Sequence, residues 1–407
     1  MDFLMNTSLF AWMLSHSNFF ISYACTIPVR VLVFIAAILV LFAAKLVYHR
    51  VKRAKKSPPA DQLPDDNGSA QKASRARKVE NRVFWIVLAV VAIVVVAIGR
   101  PAITKLGAAL FQDQKTQVVT EGNFNWMELD SKNHLLYAVG HDADQVLAFH
   151  TDDLSAPPEE SESLGTLSQS FAFNPSANEI YFPTSSEIIV LDVPALRIKD
   201  RIEIPELSPG DVWMVWDKQN DQLILSSEAD VNSANSFLVV DRASGKVVSD
   251  EPLNAWNIYL HPNQPILYLG PRFHEYEYYL YDTVAHKIIQ TFKTGELGDR
   301  MILDENRNEL LISNPSKGTI SRYDPLTFEY LGAISANWGV RSLAIDKEHN
   351  LLFAGSLVDN TLVIIDQTTN QTIRRCWVGP WVRSIVLDTE NRLAYVSTRY
   401  ELLCVQY

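Results

Sequence analysis

Cysteine is scarce in this chain, and the easily recognised catalytic motifs are missing from it. The 407 residues include three cysteines, Cys25, Cys376 and Cys404, and none of them forms a CxxC pair or a CxxCH haem attachment site. A covalently bound c-type haem is therefore excluded, and a disulfide framework is not indicated. HExxH, GxSxG, P-loop, GxGxxG and calcium-loop patterns are also missing. We therefore predict no cofactor and favour a protein that is not an enzyme.

Basic residues are scarce in the larger, C-terminal part of the chain. Residues 113–407 carry 22 lysines and arginines against 42 acidic residues, whereas residues 1–112 carry 14 against 5. An acidic globular region argues against nucleic acid as a partner, because phosphates require basic patches. The nearest approach to a metal-ligand group is His141, Asp142 and Asp144. Three such residues in a polar turn are more often solvated, so we predict no metal site.

Long apolar runs are confined to the N-terminal quarter of the chain. Residues 31–48 form one such run and residues 83–111 hold a second, each long enough for a transmembrane helix. Residues 49–82 between them are basic, are interrupted by prolines and are predicted to be disordered. Residues 1–30 are apolar but impure, and are predicted to be interfacial or spanning.

The basic loop also predicts the topology of the two helices. Short loops rich in lysine and arginine stay in the cytoplasm, so the chain after the second helix emerges on the other side of the membrane. We therefore expect an integral protein of a bacterial inner (plasma) membrane, in contact with the lipid bilayer, whose C-terminal domain is periplasmic or extracellular. A role of the loop in binding anionic lipid headgroups is the less favoured interpretation.

A repeat of 42 to 44 residues runs through the acidic part of the chain. A polar marker residue ends a short apolar run and begins a polar turn in each of seven repeats: Asp130, Asn174, Asp217, His261, Asp304, Asp346 and Asp388. Seven residues after each marker stands a large apolar or aromatic residue: Tyr137, Tyr181, Ile224, Tyr268, Leu311, Phe353 or Tyr395. A period of this length with several short strands per repeat indicates a β-propeller with four strands in each blade.

The ends of the repeat region predict how the ring closes. The last repeat is one strand short, and residues 117–120 precede the first repeat without a partner. We therefore predict an all-β, seven-bladed β-propeller over residues 116–407, in which residues 117–120 complete the last blade beside residues 402–406. This closure removes the exposed sheet edge of an open ring.

The second strand of the last repeat carries a family resemblance. Leu393-Ala394-Tyr395-Val396-Ser397-Thr398 resembles the YVTN type of β-propeller repeat, and residues 135–139 and 266–269 match it more loosely. The Gly-His and Trp-Asp pairs of WD40 repeats are missing from the corresponding positions. The resemblance implies a propeller that is secreted or surface-exposed and that binds or scaffolds. Propellers of similar shape in periplasmic redox enzymes depend on a partner subunit or an added cofactor domain.

Alignment of the repeats on their markers reveals a group of polar residues at one end of the central channel. Candidate binding residues at this channel mouth are Asn125, Asp299, Arg300, Arg341 and Arg383. Three guanidinium groups in an acidic domain suit bidentate binding of a carboxylate or a phosphate. The alternative is a structural network in which Asp299 and nearby carboxylates neutralise the arginines.

The loops at the same end of the propeller supply further candidates. Loops 227–236 and 270–279 are unusually long and belong to neighbouring blades, which favours a binding surface there. The candidate residues on this loop face are Glu228, Asp230, Arg272, His274, Tyr276, Arg399 and Tyr400. Five tryptophans suit either stacking on sugars or peptide side chains or packing between blades: Trp126, Trp213, Trp256, Trp338 and Trp381.

Together these features favour a membrane-anchored extracytoplasmic binding or scaffolding module. Its partner on the propeller face is expected to be a protein, a peptide, a glycan or a small anionic ligand. One alternative is an enzyme or enzyme subunit, of hydrolase, lactonase or dehydrogenase type, with its site at the channel mouth. Another is a subunit of a membrane complex whose helices make the main contacts.

Overall fold

The computed structural model describes residues 112, 114–140, 143–165, 170–205, 211–228, 236–251, 253, 255, 257–270, 277–294 and 298–407. The predicted segments 1–30, 31–48, 49–82 and 83–111 lie outside these residues. In the part of the chain that the structure describes, no helix reaches the length and apolar character that crossing a membrane requires.

The described residues form seven antiparallel sheets of four strands each, as the repeat predicted. Blade 1 contains β2 (Phe124–Asp130), β3 (Leu135–Gly140), β4 (Val146–His150) and β5 (Glu159–Glu160). Blade 2 contains β6 (Ala172–Asn174), β7 (Glu179–Pro183), β8 (Glu187–Asp192) and β9 (Arg197–Glu203). Blade 3 contains β10 (Asp211–Asp217), β11 (Gln222–Glu228), β12 (Ser236–Asp241) and β13 (Lys246–Glu251). Blade 4 contains β14 (Asn257–Leu260), β15 (Ile266–Gly270), β16 (Glu277–Asp282) and β17 (Lys287–Lys293).

The last three blades repeat this order. Blade 5 contains β18 (Met301–Asp304), β19 (Glu309–Asn314), β20 (Thr319–Tyr323) and β21 (Tyr330–Ser335). Blade 6 contains β22 (Val340–Asp346), β23 (Leu351–Ser356), β24 (Thr361–Asp366) and β25 (Gln371–Trp377). Blade 7 contains β26 (Ser384–Asp388), β27 (Leu393–Ser397) and β28 (Glu401–Gln406), with β1 (Thr116–Glu121) as its fourth strand.

The predicted closure of the ring is confirmed. Strand β1 pairs antiparallel with β28, and Gln117 stands opposite Cys404 while Glu121 stands opposite Glu401. The first described strand therefore completes the last blade, so that the two ends of the repeat region are held together by backbone hydrogen bonds.

The core lies between the blades. Tyr137 and Val139 of blade 1 pack with Phe171 and Phe182 of blade 2 in one buried cluster, and similar clusters join the other neighbouring blades. Because a blade is covered on both faces, its second strand is mostly apolar and has no polar face, as in β23, which is buried throughout. This explains why the second strands carry the clearest repeat signal in the sequence.

The seven markers are buried polar groups that stabilise turns. Each marker accepts a hydrogen bond from a backbone N–H of the turn that follows the innermost strand, for example from Asn133 to Asp130 at 3.2 Å. His261 fits the series because its Nδ1 accepts the N–H groups of Asn263 and Gln264, each at 3.1 Å. Acceptor capacity at a buried strand end is therefore what the seven markers share.

Candidate functional site

The candidate channel-mouth residues stand where the innermost strands begin. Asn125 and Arg341 occupy equivalent β-bulges in β2 and β22, at which the register with the neighbouring strand shifts by one residue. Asp299 and Arg300 immediately precede β18, and Arg383 immediately precedes β26. Bulges and strand starts redirect side chains out of the regular alternation of a strand, which makes them common positions for functional groups.

Arg341 belongs to a buried ion pair. Its Nε lies 3.3 Å from Oδ2 of Asp299, and the side chains are 11% and 1% exposed. The pair joins blade 6 to blade 5, so it supports the interpretation of Arg341 and Asp299 as part of a structural network. Breaking such a pair leaves a buried charge without compensation.

Arg300 has a different environment. Its guanidinium lies over the ring of Trp213, 4.1 Å from the centroid, and its Nη1 donates to Oδ1 of Asn257 at 3.0 Å. Burial, together with the positive charges of Arg341 and Arg383, lowers the pKa of Arg300 to about 9, and Asp299 opposes this shift only in part. Burial is the largest cause of this shift, and an anion brought next to Arg300 would favour its charged form.

Arg383 lies at the junction of blade 7 and blade 1. Its Nη1 donates to Oδ1 of Asn125 on the neighbouring blade. The backbone at this point is fixed by Ser342 of blade 6, whose Oγ donates to the carbonyls of Val382 at 3.1 Å and Arg383 at 2.8 Å. The guanidinium is therefore oriented by residues from two adjacent blades.

The charge balance of this group is positive. The charged residues that act on Arg300 are Arg341, Arg383 and Asp299, so its charged neighbours are two further guanidinium groups and one carboxylate. The structure thus brings together all five channel-mouth residues that the sequence predicted. Guanidinium groups are not metal ligands, and the described residues contain no group of three or more His, Cys, Asp or Glu arranged to hold a metal ion.

A cavity of about 310 Å³ lies in the channel beside these arginines. It is lined by residues from the innermost strands of blades 1, 4, 5, 6 and 7, including Arg300 and Arg383. Its walls also contain Glu128, whose Oε1 accepts a hydrogen bond from Nε1 of Trp126 at 3.0 Å. Burial raises the pKa of Glu128 to about 7, although the hydrogen bond from Trp126 lowers it.

Of the predicted loop-face residues, the structure places only some. Asp230, Arg272, His274 and Tyr276 lie outside the described residues, and Glu228 ends β11.

Arg399 lies over the ring of Trp381, 5.9 Å from its centroid. Trp381 stands two residues before Arg383 in the chain. The Tyr400 carbonyl accepts the N–H of Gly122 at 2.8 Å, which links the last loop to the end of β1.

The predicted tryptophans divide between packing and exposure. Trp126 and Trp213 pack edge to face at 5.4 Å, and Trp381 is buried, whereas Trp338 is 61% exposed. Trp256 lies outside the described residues, as do His141 and Asp142. Asp144, the third member of that turn, accepts a hydrogen bond from the hydroxyl of Ser163 at 2.5 Å.

Glu128 and Asn257 are parts of the site that sequence reasoning missed. Four of the predicted channel-mouth residues, Asn125, Asp299, Arg341 and Arg383, stand five residues before their markers. Asn257 stands four residues before its marker, as do Arg300, Trp213 and Trp126. Ser170 and Ser342 occupy the same position and hydrogen-bond to backbone carbonyls of the next blade. The signal for Asn257 was therefore this adjacent column of the repeat, whereas Glu128 stands two residues before its marker, outside that column.

Comparison with known proteins identifies the architecture. No family model matches the sequence, and no curated protein is significantly similar to it. The structure is similar to the crystal structure of the Cps50 (Swd1) β-propeller domain of Myceliophteria thermophila, with a TM-score of 0.57 and 12% identity over 71% of this chain and 99% of that one. Because 1356 solved chains match, the likeness shows the fold and no particular activity. The described part of the chain is a β-propeller.

Proposed function

We propose that this protein is a membrane-anchored, extracytoplasmic β-propeller of the YVTN type that binds an anionic group of its ligand at the channel mouth. The observation that carries the proposal is the environment of Arg300, which is held over Trp213 and surrounded by two further arginines and one carboxylate. A buried site with excess positive charge attracts and orients an anion because protein dipoles and charges there are screened little by water.

Anion binding is tested by calorimetry on the full-length chain in detergent, titrated with inorganic phosphate against chloride at equal ionic strength. We expect phosphate to bind, and Arg300→Met and Arg383→Gln each to weaken it at least tenfold. Arg375→Gln is the matched control, because it also removes one positive charge but from a half-exposed pair with Asp359. Unchanged phosphate affinity in both site variants, or no phosphate binding at all, contradicts anion recognition at this site.

The membrane topology rests on the sequence and has its own test. In a chain with Cys25→Ser, single cysteines are introduced at Glu348, which is exposed on the propeller, and at Ser69 in the basic loop. The native Cys376 and Cys404 are buried and form a low background. In spheroplasts of a bacterial host, an impermeant maleimide should label position 348 directly and position 69 only after permeabilisation. The reverse pattern contradicts the proposed orientation.

A second candidate function, an enzyme, is favoured by Glu128. A carboxyl group with a pKa of about 7 in a cavity that also holds arginines has the properties of a general acid or base next to groups that stabilise an oxyanion. Glu128→Gln distinguishes the two functions. Both functions predict that phosphate affinity at pH 6 is kept in this variant. Only an enzyme that uses Glu128 would also turn over a substrate in the unmodified protein and lose that turnover in the variant.

A further inference from the structure

We propose that the channel cavity binds a small organic anion end-on, with its anionic group at Arg300 and Arg383 and an apolar body extending along the channel towards Glu128. This inference rests on the proposed anion-binding function and names the chemical class of the ligand. It concerns a small molecule, because a cavity of about 310 Å³ lies at the lower end of the range of small-molecule sites.

The walls of the cavity carry the argument for an apolar body. Ile258 of blade 4, Ile302 of blade 5, Leu343 of blade 6 and Val386 of blade 7 all line it and all remain partly exposed. Four aliphatic side chains from four blades thus present apolar surface to the same space. An inorganic anion gains nothing from such surface, whereas an apolar body is stabilised by leaving water.

The direction of the ligand follows from the order of residues along the strands. The cavity extends in blade 7 from Arg383 to Val386 and in blade 5 from Arg300 to Ile302. Two or three residues of β-strand correspond to roughly 7–10 Å. The guanidinium groups therefore stand at one end of the cavity and the aliphatic walls continue inward from them, over a length that suits a ring attached to a carboxylate.

Glu128 makes the affinity depend on pH. The charged or titratable groups of the other strands that line the cavity are Arg300, Arg383 and Tyr259, with Arg341 and Asp299 beside the arginines. Tyr259 stays neutral because burial raises its pKa to about 12. Glu128 therefore supplies the carboxylate of the cavity wall, uncharged below pH about 7 and negative above it. Its ionisation repels an anion and hydrates the wall that receives the apolar body.

The test uses calorimetry on the full-length chain in detergent, with benzoate, acetate and benzyl alcohol as probes at pH 6. We expect benzoate to bind at least tenfold more tightly than acetate and than benzyl alcohol, since only benzoate uses both parts of the cavity. Arg300→Met and Arg383→Gln should each weaken benzoate at least tenfold, and Arg375→Gln should leave it unchanged. We also expect benzoate to bind more weakly at pH 8.5 than at pH 6. Benzoate is ionised at both pH values, so this difference reports on the carboxyl group of Glu128, and it should disappear in Glu128→Gln.

A variant that blocks the apolar part of the channel tests the inference without changing the arginines. Leu343→Trp fills the channel beyond the guanidinium groups, so it should weaken benzoate at least tenfold while acetate affinity is retained, at an unchanged melting temperature. If acetate or phosphate binds as tightly as benzoate in the unmodified protein, the inference is overturned while the proposed function stands. If no anion binds, both are wrong. Benzoate binding that is indifferent to both arginine variants also overturns the inference.

Discussion

Arg300, Arg341 and Arg383 stand at neighbouring positions of three consecutive blades, yet their partners give them different roles. Arg341 is neutralised by the buried carboxylate of Asp299, whereas Arg300 lies against an indole ring and an amide. The structural network is therefore seen at Arg341 and Asp299, whereas anion binding by Arg300 and Arg383 stays a prediction. The partners decide between them, and no pattern along the chain identifies a partner contributed by another blade.

The Arg341–Asp299 pair is expected to stabilise the fold. Arg341→Met should lower the free energy of unfolding by about 3–5 kcal/mol, because Asp299 would be left buried without its partner. Arg375→Met removes the arginine of a half-exposed pair on the same blade and should cost less than about 1 kcal/mol. Denaturant unfolding of both variants measures the difference, and equal losses would show that Asp299 is not held by Arg341.

Glu128 predicts that stability falls as the pH rises from about 4 to 8. Its pKa is raised to about 7 in the folded protein, so its contribution is complete below its ordinary pKa and is lost as the pH rises through 7. Between pH 4 and pH 8 the unmodified chain should therefore lose up to about 3 kcal/mol relative to Glu128→Gln. Thermal unfolding at several pH values measures this. Parallel pH profiles of the two proteins would mean that Glu128 is ionised in the folded state at pH 6.

At the scale of the element, the innermost hairpin is the unit that the sequence predicted best. Each marker is a short-range feature, because the side chain accepts hydrogen bonds from backbone groups two or three residues later. Such a local interaction can be predicted from the sequence of a single repeat, and it occurs in all seven repeats. The contacts of the channel mouth, in contrast, join residues such as Arg383 and Asn125 that are far apart in the chain, so the sequence predicted which residues meet but not how they pair.

His261 is the one marker whose acceptor can be lost by protonation. Burial lowers the pKa of His261, and the ring must be neutral for Nδ1 to accept from Asn263 and Gln264. Its contribution to stability is therefore complete above pH about 6.5 and declines as the pH falls.

His261→Asn should keep the turn and remove the loss of stability at low pH, since Asn174 accepts the equivalent hydrogen bond in blade 2. His261→Ala should cost about 1 kcal/mol at pH 7 through the lost acceptor. Unfolding at pH 5 and pH 7.5 measures both variants. If the unmodified protein and His261→Asn respond equally to pH, the ring does not act as the acceptor.

At the scale of the whole molecule, one antiparallel pairing holds the ring closed. The sequence predicted this closure because an unpaired segment at one end matched a missing strand at the other. The count of seven blades followed in the same way from seven markers. The conformations of the loops could not be predicted in this way, because loop length varies between blades and no periodic pattern in the sequence specifies them.

The closure predicts a stabilising disulfide. Gln117 of β1 stands directly opposite Cys404 of β28, and directly opposed residues of antiparallel strands lie within the range that a disulfide spans. Gln117→Cys should therefore form a bond with Cys404 under oxidising conditions and stabilise the protein by about 2–4 kcal/mol. The effect should disappear on reduction and in Gln117→Ser. A melting temperature that oxidation does not change would mean that β1 and β28 are not paired as described.

The most direct measurement of anion recognition is a crystal of the full-length protein soaked in 4-bromobenzoate, with anomalous diffraction recorded at the bromine edge. We expect one bromine peak inside the channel among Ile302, Leu343 and Val386, with the carboxylate within hydrogen-bond distance of Arg300 and Arg383. A bromine at the rim of the propeller, or a carboxylate directed away from both guanidinium groups in a fully occupied channel, would contradict the account.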